Sequence, residues 1–324
     1  MPRTLELRAR VTALSSITHN GGQSYGITSM LRRERFVQTD GSVEEVPVIS
    51  GNGIRGMLRD KGMYHMCRSL GYGVNEETGE VQGLSLPAYY FLFSGGVLSK
   101  EAGKALNIDR ARELRRLIPL VGIFGGAVGN MIMPGKVRID KMIPICQETM
   151  HLLPDSYHLA AVESIWEYTQ REMYTRKDDE KNENLRVLIE PQVRGFLEDE
   201  AATKRARGTS PMEEETGSKQ QMMYFVETLA AGTSFAWSVI LQDVTDAELE
   251  AFVVTLAEFS KAPYIGGKSG TGLGKVAIEF KNLLVVDSRM QADTAALGIP
   301  AGDNYKRHLQ EHGNEIRDIL RGFE

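Results

Sequence analysis

Five glycines fall within eleven residues between Gly266 and Val276, GGKSGTGLGKV, and the run lies between a helical pattern and an alternating one. That position limits the folds open to the chain. Upstream, TDAELEAFVVTLAEFSK begins with Thr245 and Glu248, a capping-box pair, and its Leu249, Phe252, Val253 and Leu256 make one helical stripe. Downstream, KVAIEFKNLLVV reads as a strand. A nucleotide-binding P-loop needs the reverse order, because the helix that follows the glycines must aim its N-terminus at the phosphates. The spelling fails as well. Counted back from Gly267-Lys268 the first motif glycine falls on Ala262, and from Gly274-Lys275 it falls on Ser269, with Val276 in place of the magnesium-binding hydroxyl. Gly272, Gly274 and Ala277 fit only the loosest dinucleotide fingerprint, and a strand pattern follows them. A nucleotide-dependent enzyme is therefore the weakest rival. Gly267, Lys268, Ser269, Thr271 and Lys275 instead make a polar bend whose amides suit a phosphate or a sugar.

A second bend points the same way. VISGNGIRGMLRD places Gly51, Asn52 and Gly53 ahead of a helix expected over Ile54 to Leu70, closed by Gly71. First-turn amides lack helical partners and attract anions, and Arg55 and Arg59, four apart, share a face. Taken alone, the stretch also reads as a Ser or Asn cap with two solvated arginines.

The remaining elements follow from periodicity. Thr4 to Leu14 alternates as a half-buried strand, SSITHNGGQSYG is a polar loop, and RRERFVQTDG with SVEEVPVIS is a hairpin turning at Asp40-Gly41. Lys100 to Leu117 reads as a helix, PLVGIFGGAVGN as a glycine-broken turn, and KVRIDKMIPI as a strand. From Pro154 a further helix is expected, with Leu159, Val162, Trp166, Thr169 and Met173 along one face. Glu198 to Gln221 has almost no apolar content and reads as an exposed loop. MMYFVETL and TSFAWSVIL are strands of a hairpin turning at Ala231-Gly232, and a last helix runs from Asn304 to Leu320. The order strand, helix, strand, strand, helix, strand, with a long insertion after the first helix, predicts an α+β chain. Its expected centre is a ferredoxin-like (RRM-like) βαββαβ sheet with helices on one face.

Charge and cysteine usage narrow the function. The net charge of −5 argues against a general nucleic-acid binder, yet residues 1–70 hold ten Arg or Lys against six Asp or Glu, enough for one basic groove. Cys67 and Cys146 stand alone in apolar surroundings and read as packing residues, and the histidines lack ligand spacing, so neither metal nor cofactor is expected. The N-terminus has no apolar signal region and no run spans a membrane, which makes the cytoplasm the default location.

PVISGNGIRGMLRD resembles the P-x-x-P-G-S-S-x-K-G-x-L-R signature of the RAMP-superfamily backbone subunits of class 1 CRISPR effector complexes. IGGKSGTGLGKV resembles their C-terminal glycine-rich loop, and PLVGIFGGA followed by KVRIDKMIP looks like their L-F-G segment and next strand. The pattern is most similar to the backbone protein of type IV systems. The resemblance implies a palm (1–70 and 222–324), a helical fingers insertion that also contains some palm strand (71–186) and a thumb hairpin (187–221). It implies copies arranged head-to-tail along one guide RNA (crRNA), working with other complex subunits and presenting the guide to target DNA, with RNA the less favoured target. RNA contacts are then expected from His19, Asn52, Arg55, Arg59, Gly267, Lys268, Ser269, Thr271 and Lys275, and from Lys204, Arg205 and Arg207 in the thumb. In type III relatives the loop after the first strand carries an aspartate that cuts target RNA. THNGGQSYGITSMLRRE has no Asp and offers only Asn20, Thr28 and Ser29, none of them a base at neutral pH. No catalysis is expected. The nearest rival is a RAMP-type endoribonuclease that processes guide precursors, with His19 as its acid or base.

Overall fold

The computed structural model describes residues 3–74, 81–96, 108–129, 131–176, 222–286, 292–293 and 302–323. The fold is α+β. Its main sheet is built around β1 (Arg3–Ala13), which pairs antiparallel with Ser234–Val244 on one edge and with Val276–Val286 on the other. Val137–Ile139 and Ile143–Pro144 extend the sheet beyond Ser234–Val244, and Ala292–Asp293 pairs with the far end of Val276–Val286. Leu5, Ala9, Val11 and Ala13 are all buried, so the two-residue period of the sequence places one face of β1 in the core.

Helices α1 (Gly51–Ser69), α2 (Ile108–Leu117), α3 (Pro119–Phe124), α4 (Asp246–Lys261) and α5 (Asp303–Arg321) close over that core. Helix α1 packs on α4, with Gly62 against Thr255, and its Ile54, Leu58, Met63 and Met66 are buried. The capping box of α4 is formed as expected: Glu248 N donates to Thr245 Oγ1 (3.3 Å) and Thr245 N to Glu248 Oε2 (2.8 Å). Buried Glu250 accepts the Tyr305 amide (3.0 Å) and the Asn304 side chain, fixing the start of α5. Both cysteines are free and buried, and burial pushes each thiol up to about 12.

The chain divides into two compact units. The first holds Met1–Gly21, Leu31–Gln170 and Thr228–Glu324; the second holds Gly22–Met30 and Arg171–Glu227. In the second unit Thr28 and Ser29 pair in parallel with Phe225 and Val226, and the Tyr174 and Tyr224 rings stack 5.5 Å apart. The expected thumb, 187–221, and the exposed loop from Glu198 to Gln221 lie outside the described residues.

Five expectations need correction. PLVGIF is a helix, not a turn. Every one of its six residues is buried, so it has no polar face to create a period, while Pro119 opens it and Gly125, at φ 69°, ends it. Helix α1 begins at Gly51, three residues before the expected Ile54. The helix expected after Pro154 is a single 3-10 turn, Asp155–Tyr157, then an extended stretch, the short helix Ile165–Tyr168 and the strand Thr169–Arg176. Tyr157 anchors that segment by donating to the Trp237 carbonyl (2.9 Å), and Trp166 and Met173 are more than half exposed, so the spacing was not a buried stripe. The Ala231-Gly232 turn exists, but its strands enter different sheets. Gly232 N donates to Ala13 O and Ala13 N to Thr233 O, so the second strand pairs with β1 and not with the first. Finally, Asn20–Tyr25 is a strand within the expected polar loop.

Gly51 sits where a Cβ would collide with the Ile139 carbonyl, whereas Gly56, in the same helix, faces open space. Gly51→Ala should therefore lose about 1–3 kcal/mol in urea denaturation. Gly56→Ala should gain about 0.5–1 kcal/mol, since alanine restricts the unfolded chain without strain.

Candidate nucleic-acid interface

After β1 the chain continues alongside the glycine loop and is stitched to it by backbone hydrogen bonds. Leu14 N donates to Lys275 O (2.7 Å), Gly274 N to Ser16 O (2.8 Å), and Gly267 N to Thr18 O (2.8 Å), while the Ser15 hydroxyl accepts from Lys275 N (2.9 Å). Within the loop Ile265 N reaches Gly274 O (2.8 Å), so the ends are pinched together. Two glycines are demanded by this closure. Gly266 (φ 76°) and Gly274 (φ 88°) are left-handed, and a Cβ on them would strike the carbonyls of Thr18 and Ile265. Gly272 is left-handed too (φ 89°), but no neighbour crowds it, and Gly267, Gly270 and Gly272 are exposed, as are Ser269, Thr271 and Lys275. Lys268 also adopts a left-handed conformation (φ 60°) and is half-buried.

The first bend meets the same strand one residue later. Ser50 is the N-cap of α1: its hydroxyl accepts from Gly53 N (3.1 Å). Its own amide donates to His19 Nε2 (3.1 Å), and its Oγ lies 3.0 Å from that nitrogen. Since Nε2 accepts an amide proton, the imidazole proton belongs on Nδ1. Burial and, second, the nearby Arg32 charge lower the His19 pKa, which favours this neutral form. Thr18 and His19 thus join the two bends, one through a carbonyl and the other through a ring. Thr18 beside them is 2% exposed, and its buried hydroxyl has no partner among the described residues.

The expected residues divide accordingly. His19, Asn52, Gly267, Lys268, Ser269, Thr271 and Lys275 belong to the joined bends, with Asn52 exposed at the first turn of α1. Arg55 and Arg59 are directed elsewhere. Both donate to the Phe124 carbonyl, and Arg59 also to Gly125 O (3.1 Å), with its guanidinium 5.8 Å from the Phe124 ring centroid. They cap the C-terminus of α3, whose last carbonyls lack helical partners and carry the negative end of its dipole. Burial and the neighbouring Arg55 lower the Arg59 pKa. Lys204, Arg205 and Arg207 lie outside the described residues. Thr18 and Arg32 escaped the sequence reading, and Ser50 entered it only as a helix cap in the alternative reading of the first bend, with no link to His19.

If Arg55 and Arg59 serve α3 in this way, their loss must show in the protein alone. Arg59→Ala should lower stability by about 1–3 kcal/mol, the cost of stripping buried carbonyls of a charged donor, measured by urea denaturation at neutral pH. An arginine used only on an external phosphate would leave the midpoint unchanged.

No family model matches the chain, and no curated protein matches it. Among solved structures, a chain of one described as "Type IV-B CRISPR Complex" is similar, at a TM-score of 0.56 and 21% identity, over 92% of this chain and 96% of that chain. A second, "Crystal structure of Thermofilum pendens Csc2", aligns at a TM-score of 0.41 and 15% identity, over 100% of this chain and 87% of that chain. The protein has the fold of a chain found in a type IV CRISPR complex, the group its motifs resemble.

Proposed function

We propose that this protein is a guide-RNA-binding backbone subunit of a type IV CRISPR ribonucleoprotein, one of the RAMP-superfamily proteins, and that it works without catalysis of its own. The observation that carries the reading is the convergence of two amide-rich bends, 215 residues apart from Ser50 to Ile265, on the adjacent residues Thr18 and His19. An exposed bend at Gly267 and Ser269 to Gly272, with Lys268 and Lys275 beside it, suits the spaced charges of a ribose-phosphate strand better than the compact triphosphate of a nucleotide.

The sheet order supports reading the first unit as a ferredoxin-like palm. Numbering its four principal strands along the chain, Arg3–Ala13, Val137–Ile139, Ser234–Val244 and Val276–Val286, the spatial order is 4-1-3-2, all antiparallel. In such a subunit contacts to phosphate and sugar leave the base edges free, so pairing reads the sequence of the target. Copies repeating head-to-tail, an open assembly, would follow a linear guide and offer it to target DNA together with other subunits. His19 is poorly placed for the rival role of general acid or base in guide processing, since its Nε2 is engaged by the Ser50 amide. The corrected phosphate track consists of Lys268, Lys275 and the two bends, while Arg55 and Arg59 brace the palm behind it.

The test is the nucleic acid the protein carries and the salt dependence of its grip. Protein purified under mild salt should show a raised ratio of absorbance at 260 to 280 nm, from RNA of uniform length. Each phosphate neutralised on a single strand contributes about −0.7 to the slope of log affinity against log salt. Lys268→Gln with Lys275→Gln should therefore make the slope shallower by about 1.4 for single-stranded RNA. An unchanged slope removes both lysines from the track. Cleavage of repeat RNA that disappears in His19→Ala would establish the processing enzyme instead.

A further inference from the structure

We propose that His19 is a positioning residue, one that ties the two bends together by accepting the Ser50 amide, so that acidification loosens the grip on RNA and does not tighten it. This rests on the RNA-binding reading above, and it gives that reading a sign that ordinary phosphate contact would not. A histidine touching phosphate directly gains affinity when it becomes an imidazolium. Here the ring is used differently.

The geometry leaves Nε2 one task, to accept. Ser50 N donates to it at 3.1 Å, and the same residue's hydroxyl caps α1 through Gly53 N at 3.1 Å. The fit around the ring is close, since a Cβ on Gly53 would stand 3.3 Å from His19 Cε1. On the other side, the Thr18 carbonyl holds Gly267 N at 2.8 Å, and the His19 carbonyl accepts Arg32 N at 2.7 Å. Residues 18 and 19 are thus held from both bends and from the hairpin strand Arg33–Val37 that follows Arg32. Protonation turns Nε2 into a donor. It can then still reach Ser50 Oγ, 3.0 Å away, but the Ser50 amide would face another N–H and must turn aside. That displaces the residue that sets the first turn of α1, and with it Asn52 and the Gly53 amide.

The charged surroundings agree with a ring that rests neutral. Arg32, from the hairpin side, is the charge that acts on His19, and it opposes protonation together with burial. From α1 the ring meets Ser50 and Gly53, which carry no charge, and the glycine loop is joined to its neighbour Thr18 through Gly267 N. No carboxylate among the described residues stabilises its charged form. A group with a lowered folded pKa binds fewer protons folded than unfolded. Its stabilising contribution is therefore intact above the ordinary imidazole value and is lost as pH falls below it.

The experiment measures binding of a uniform single-stranded uridine oligonucleotide to the full chain at fixed salt, from pH 7.5 to pH 5.5. Wild type should weaken by about three- to tenfold on acidification, the cost of one displaced buried amide. His19→Gln, which keeps an acceptor but cannot titrate, should flatten the profile. Tightening at low pH, or a wild-type profile retained in His19→Gln, overturns the proposal. A second readout needs no RNA. In imidazole nitrogen NMR spectra of the wild type, His19 should carry its proton on Nδ1 at neutral pH, and the Ser50 amide signal should move with its titration. Protonated Nε2 at neutral pH overturns the positioning role. If that co-titration is present while RNA fails to bind at any pH, the tie between the bends stands and the RNA reading falls.

Discussion

The structure depends on one strand paired along both edges. Arg3–Ala13 lies between Ser234–Val244 and Val276–Val286, so its backbone is satisfied on either side and its Leu5, Ala9 and Val11 are buried beneath the helices. Such a strand has little freedom to shift, because a one-residue slip would turn Leu5 outward and Glu6 inward. Its continuation inherits that rigidity. Residues Leu14 to Thr18 keep donating to and accepting from the glycine loop after the regular ladder ends, and Ile17 exchanges two backbone bonds with Leu229. A fixed rail thus leads from the centre of the sheet to Thr18 and His19, where the candidate interface is assembled.

The glycine run serves that rail in two ways. At Gly266 and Gly274 the absence of a side chain lets backbone meet backbone, and the loop closes on itself and on Thr18. At Gly267, Gly270 and Gly272 nothing in the fold requires glycine for space, and these exposed positions leave the surface of the bend without side chains, although the Gly267 and Gly272 amides are already used by Thr18 O and Ser269 O. The first bend follows a similar division. Gly51 permits α1 to approach the Ile139 carbonyl, Ser50 satisfies the Gly53 amide, and Asn52 remains exposed. Close approach on one side and exposed polar groups on the other is a sound basis for gripping a polyanion, because the donors are rigid before the ligand arrives.

Basic residues near a bend need not face the ligand. Arg55 and Arg59 lie one turn apart, as their spacing requires, yet both serve the carbonyls at the end of Pro119–Phe124. That short helix is buried on all sides, so its C-terminal oxygens have no water to turn to, and two guanidinium groups supply what solvent cannot. The motif that looks like a phosphate clamp in one dimension is in part a brace between two helices in three.

Much was legible in the amino-acid order. The alternation of β1, the hairpin over Arg33–Val37 and Val43–Pro47, the capping box at Thr245 and the length of the last helix follow from local chemistry, which acts over a few residues and survives in any context. The polar bend from Gly266 to Lys275 and its resemblance to a CRISPR backbone protein were legible for the same reason. What tertiary structure decided is where segments without local character go. Pro119–Phe124 became a helix because it is enclosed, and Trp166 and Met173 turned outward because they fall on a short helix and a strand and not on one continuous helix face. Ser234–Val244 left its hairpin neighbour for β1, and His19 acquired its task only when Ser50, thirty-one residues away, was folded against it. Local sequence determines which backbone bonds a segment can make. Only the packed chain determines which partner is within reach.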